Sequence, residues 1–168
     1  MTHTSNIPAP TVSERDADGR LVGLVFDSAP PLTTPEKNIW LVAVDGSDNA
    51  LRAVAHAARQ ASEMKACALH LVNVQHWLSR EAAESEFAQR GWHATERARA
   101  LLDAAGLPWR LHLAMGDAGE NILRHAAQLG CMEIFIGSRG LGTIEGLMLG
   151  SVAYKLVHTS PLPVLVAP

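Results

Sequence analysis

Short apolar runs alternate with segments of helical spacing from Asn38 to the end of the chain. Ile39-Trp40-Leu41-Val42-Ala43-Val44 is continuously apolar, which marks a strand covered on both faces. Asp45-Gly46-Ser47-Asp48 ends the run, and Ser47 or Asp48 is placed to cap a helix carrying Leu51, Val54, Ala55, Ala58 and Ala61 at helical spacing. A second strand is predicted over 66–74. Ala83, Phe87, Ala94, Ala98 and Leu101 then predict one long helix from Ser79 to Ala105, stopped by Gly106 and Pro108. Leu111 to Met115 reads as the third strand. Asp117 and Glu120 stand at capping-box spacing before a helix that carries Ile122, Leu123, Ala126 and Ala127 and ends at Gly130. A fourth strand over 132–136, a helix over 151–158 and a last strand over 164–167 complete the pattern.

Strands alternating with helices mean βαβ units, a parallel sheet and right-handed crossovers. No internal repeat is evident, so the unit occurs once. Residues 1–37 stand apart: they hold most of the nine prolines and one apolar run, Leu21 to Phe26. That composition predicts an extended arm, whose run could add a strand or dock on the body. The domain proper is expected over 38–168.

Length and composition narrow the class. A chain of 168 residues with 48% apolar and 18% charged positions suits one folded domain with a sizeable core. A net charge of −3 with no basic stripe argues against nucleic acid as a partner. Cys67 and Cys131 match neither a zinc site nor a disulfide framework and are expected as reduced, partly buried thiols. No apolar run reaches membrane-spanning length, and residues 1–10 lack the pattern of a secretory signal. A cytoplasmic protein with no membrane partner is the expectation.

The chemistry concentrates in the glycine-rich stretch from Gly137 to Ser151, which starts where the fourth strand ends. Open α/β sheets place ligands at that edge. Glycines let backbone approach a phosphate closely, and the helix start at Gly150-Ser151 offers N–H groups and a favourable dipole end. It is not a Walker A loop, because Thr143 stands where the lysine belongs. A flexible turn that needs positive φ values would use glycines too.

Gly137-x2-Gly140-x9-Gly150-Ser151 resembles the pattern of ATP-binding universal stress proteins: glycine, two residues, glycine, nine residues, glycine, then serine or threonine. Three further stretches resemble that family: Val42 to Ser47, Leu69 to Val72, and Pro163 to Val166. The resemblance implies an α/β fold with an open five-stranded parallel sheet in order 3-2-1-4-5 and helices on both faces. It implies adenine near Ala43, Val44 and Leu71, ribose at Asp45, and a nucleoside lined by Ile136 and Gly137. Phosphates would then meet Gly140, Gly150, Ser151 and Val152 through backbone N–H groups and the serine hydroxyl. One departure stands out, since relatives can carry threonine where this chain has Ala153.

Asp45 could equally be a turn former with Gly46 and Ser47. Arg139 suits phosphate by its guanidinium geometry, or is a solvated loop charge. The eight histidines show no metal-ligand spacing, so magnesium is expected only on the ATP phosphates. No Gly-x-Ser-x-Gly elbow supports a hydrolase. The resemblance therefore points to an ATP-binding regulatory protein rather than a fast enzyme, with an empty interaction module and a slow ATP hydrolase as alternatives. It also implies a homodimer paired through the edge strand Val164, Leu165 and Val166.

Overall fold

The computed structural model describes residues 6–33, 37–64, 66–142, 146 and 148–168. Side chains along each central strand alternate between two apolar layers, and this alternation organises the protein. Strand β3 (Ile39–Ala43) sends Trp40 and Val42 to one layer and Leu41 and Ala43 to the other. Strand β4 (Ala68–Gln75) likewise sends Leu69 and Leu71 one way and Val72 the other. Continuous apolar sequence is what a strand buried on both faces requires.

Three helices cover the first layer: α1 (Asp48–Glu63), α2 (Arg80–Ala94) and α3 (Glu96–Ala104). The buried stripe of α1 is Ala50, Ala53, Val54, Ala57, Ala58 and Ala61, small residues that bring the helix close to the sheet, while Ala55 is exposed. The long helix expected after Ser79 is two helices. Thr95 divides them, its hydroxyl donating back to the carbonyls of Gly91 (2.8 Å) and Trp92 (3.3 Å). The second layer is covered by α4 (Ala118–Leu129) and α5 (Ser151–Thr159).

The remaining strands are β1 (Val12–Arg15), β2 (Leu21–Asp27), β5 (Trp109–Met115), β6 (Glu133–Gly137) and β7 (Val164–Ala167). Among the described residues the sheet has seven strands in order β1-β2-β5-β4-β3-β6-β7, not five. The five expected strands form its parallel part, β5-β4-β3-β6-β7. The two added strands run antiparallel and come from the segment expected to be an arm. Phe26 pairs with Leu111 across β2 and β5 and is 1% exposed, so the apolar run finds its burial on the outer edge of β5. Arg110 grips Asp27 across the same pair at 2.7 Å and holds its carboxylate below the usual range.

Both cysteines are free thiols, and burial pushes Cys131 up to about 11 and Cys67 up to about 12. No helix among the described residues is long and apolar enough to cross a membrane. Strand β7 pairs with β6 on one side only, and its Val164, Leu165 and Val166 are partly exposed.

Candidate ligand site at the carboxyl edge of the sheet

The order in which strands are added reverses between the parallel neighbours β3 and β6: the crossover from β3 leads to β4 on one side, whereas β6 lies on the other. The strand ends diverge there and leave a crevice. A cavity of about 170 Å³ occupies it. Ten of the eleven residues singled out in the sequence line it: Ala43, Val44, Asp45, Ile136, Gly137, Arg139, Gly140, Gly150, Ser151 and Val152. Leu71 does not. Its side chain is fully buried in the α1 layer, because alternation along β4 turns it away and presents Val72 and Val74 to the cavity instead.

Two loops build the polar rim. Asp45 follows β3, and its Oδ1 accepts from the Ser47 amide at 2.9 Å while its Oδ2 accepts from the Leu141 amide at 3.0 Å. The carboxylate thus works as a turn former and also fastens the loop after β6 to the end of β3. A Cβ on Gly140 would stand 2.5 Å from Asp45 Oδ2, so glycine is what allows that loop to pass the carboxylate. Gly137 has a packing reason of its own. A Cβ there would meet the backbone of Asn49 and Ala50 at 2.6 and 2.7 Å, at the start of α1.

The return of the loop is pinned by Ser138, whose carbonyl accepts from the Gly150 amide at 2.6 Å and whose amide donates to Ala167 at 2.6 Å. Residues 143–145 and 147 of the expected glycine loop lie outside the described residues. Helix α5 then begins with Gly150 as its N-cap and has no side-chain cap. Its first backbone bond runs from Tyr154 to Gly150, which leaves the amides of Ser151, Val152 and Ala153 at the cavity. By contrast, Ser47, Ser79 and Asp117 cap α1, α2 and α4 at 3.1, 3.1 and 2.8 Å.

The inner wall is apolar, formed by Val44, Val72, Val74, Ile122, Ile136 and Ala153. Among the lining residues the ionisable ones are Asp45 and Arg139, and Arg139 is exposed and makes no ion pair among the described residues. Beside the cavity Lys155 bridges α5 to Asp117 at 3.0 Å, which raises the lysine, while the Glu120 amide and then Lys155 lower the aspartate from its ordinary value. Sequence reasoning missed Val72 and Val74, one step out of phase with Leu71, and Ala118 and Ile122 on the first turns of α4. The two-residue period of β4 and the four-residue spacing of Ala118 and Ile122 are the signals that could have found them.

An apolar crevice at the reversal point of a doubly wound sheet, rimmed by glycines and an uncapped helix start, is the place where open α/β domains hold ligands. Residues 38–168 match the universal stress protein family, and the chain belongs to that family. A universal stress protein of Thermus aquaticus is 36% identical over 130 residues, covering 74% of this chain and 94% of the relative. The Bacillus subtilis universal stress protein YxiE is 29% identical over 147 residues, with 77% and 97% covered. Among solved structures, the fold is shared with universal stress protein UspA from Lactobacillus plantarum at a TM-score of 0.67 and 21% identity, covering 80% of this chain and 100% of that one. A universal stress protein solved in complex with cAMP aligns at 0.59 and 25% identity, covering 78% and 97%. One from Archaeoglobus fulgidus in complex with dAMP aligns at 0.60 and 21%, covering 78% and 97%.

Proposed function

We propose that this protein binds ATP in the crevice between β3 and β6 and acts, as a homodimer, as a nucleotide-responsive regulator. The observation that carries the reading is the start of α5. It is a helix N-terminus without a side-chain cap, entered through glycine, and its first amides line the cavity. Such a terminus favours an anion, both through unbonded N–H groups and through the helix dipole. The apolar wall of Val44, Val72, Val74 and Ile136 suits a nucleobase, and relatives are known with cAMP and dAMP bound.

In this reading Gly140, Gly150, Ser151 and Val152 hold the phosphates, Arg139 adds charge, and Asp45 exchanges one of its amide partners for ribose. Magnesium rides on the phosphates and keeps most of its waters. The site residues support binding rather than fast phosphoryl transfer, since the lining offers no lysine or histidine among the described residues and both Asp45 oxygens are occupied. Edge strand β7 supports the dimer, because its outer backbone and partly exposed Val164, Leu165 and Val166 are free to pair with a second copy.

A thermal-shift titration with ATP and magnesium tests the nucleotide reading. A Tm that rises with the logarithm of ATP concentration supports it, as linkage requires. A Tm unchanged at millimolar ATP refutes it and leaves an interaction module with an empty loop.

A further inference from the structure

The open edge at β7 is too small to hold a dimer by itself. The strand has four residues, spans roughly 13 Å at about 3.3 Å per residue, and pairing it with a copy covers far less than the about 800 Å² per partner of a stable interface. What adjoins that edge in the second layer is α5, which packs on β7 and on α4. Two of its apolar side chains stay in solvent: Tyr154 is 56% exposed and Val157 49%.

The phase of the helix shows where these two point. Ala153 and Leu156 are buried against the sheet. Lys155 reaches α4, where it meets Asp117 at 3.0 Å and Glu120 at 3.7 Å. At about 3.6 residues per turn, Tyr154 and Val157 therefore stand on the flank opposite α4, over the open edge. His158 lies on the same flank, its ring stacked on Tyr154 with centres 4.0 Å apart. Among the described residues of α5, no Asp, Glu, Lys or Arg shares that flank. The other face of the sheet differs: there α1 adjoins β7 with Arg52, whose Nε donates to the Pro168 carbonyl at 2.6 Å. The apolar side of the edge is the α5 side.

We propose that α5 packs against its own copy through Tyr154 and Val157, and that this helix contact, more than the strand pairing, supplies the apolar area of the dimer. The inference rests on the homodimer reading above. Pairing β7 antiparallel with its copy in one continuous sheet requires a two-fold axis perpendicular to that sheet. Both α5 helices then lie on the same face and flank the axis, each turning its Tyr154–Val157 flank toward the other. A two-fold contact uses the same patch on both subunits, and a small apolar flank without charge meets its own copy at no electrostatic cost. Tyrosine is a common anchor at such interfaces.

Sedimentation equilibrium of the full-length protein is the test, with Tyr154→Glu, Val157→Glu and Tyr154→Phe beside the unmodified chain. The unmodified protein should be a dimer at micromolar concentration. Each glutamate should weaken the dimer about a hundredfold, roughly tenfold for each copy, because the two-fold repeats the change. Tyr154→Phe should keep the dimer. Both positions are exposed, so the far-UV spectra should not change. A dimer that both glutamate variants leave intact overturns the helix contact while the strand pairing stands. A monomeric unmodified protein overturns the homodimer reading and this inference with it. Dissociation by Tyr154→Glu with Leu165→Lys still dimeric overturns the two-fold argued here. Should Tyr154→Glu lose its helical spectrum, Val157→Glu decides.

Discussion

Acid should destabilise this fold through two buried histidines. His70 on β4 and His112 on β5 are 2% and 7% exposed, and His70 Nδ1 lies 2.9 Å from His112 Nε2. His125 from α4 stands edge-on to His112, its ring centre 5.5 Å away. Burial, aided by Arg110, holds His70 down to about 4. Burial, with His70 as the next cause, holds His112 down to about 3. In the unfolded chain both take up a proton near 6.5. As pH falls, the unfolded state therefore binds protons first, and stability present above pH 6.5 is lost progressively down to the folded values. At pH 5 the unfolded histidines are almost fully charged and the folded ones neutral, which costs about 2 kcal/mol for each. Carboxylates with lowered values, among them Asp27 and Asp117, lose their share of stability only below pH 5. Urea unfolding of the wild type and of His112→Gln at pH 7, 6 and 5 measures the effect. The variant keeps a hydrogen-bonding group beside His70 but cannot take the proton, so the part of the acid loss carried by His112, about 2 kcal/mol at pH 5, should vanish. If the variant loses stability as steeply as the wild type between pH 6.5 and 5, the histidine account is wrong.

Three other outcomes follow from the packing and the site. Gly137→Ala should cost about 1–3 kcal/mol in urea unfolding, because its Cβ would press into the α1 backbone, and nucleotide affinity should fall with it. Gly150→Asp should raise Tm slightly by capping α5, worth a few tenths of a kcal/mol over glycine, while weakening ATP binding at least about tenfold through repulsion, as calorimetry would show. Leu165→Lys on the open edge of β7 should shift the protein toward monomer in light scattering at micromolar concentration, with the far-UV spectrum unchanged.

The parallel part of the fold was legible because each of its strands is a local apolar run bounded by turn residues. The two antiparallel strands were harder. Leu21 to Phe26 read as an apolar run, but nothing local said that it would pair with β5 more than eighty residues away. Thr95 gave no break signal, since its effect depends on its hydroxyl turning back to Gly91 and Trp92. At the site, the glycine pattern and Asp45 were found by sequence. Leu71, implied by the family resemblance, does not line the cavity, because alternation along β4 turns it into the α1 layer and presents Val72 and Val74 there instead. Arg99 lies in a charged stretch, Arg80 to Arg99, that reads as a solvated helix face, yet it is buried with its guanidinium against Trp92.

The central claim is that the start of α5 and the loop after β6 hold the phosphates of ATP. The most direct measurement is an amide ¹H–¹⁵N titration of the full-length protein with ATP and magnesium. Saturable shifts should centre on Gly140, Ser151, Val152 and Ala153 and be lost in Gly150→Asp. Resonances at those four amides that stay fixed at saturating ATP would contradict the claim.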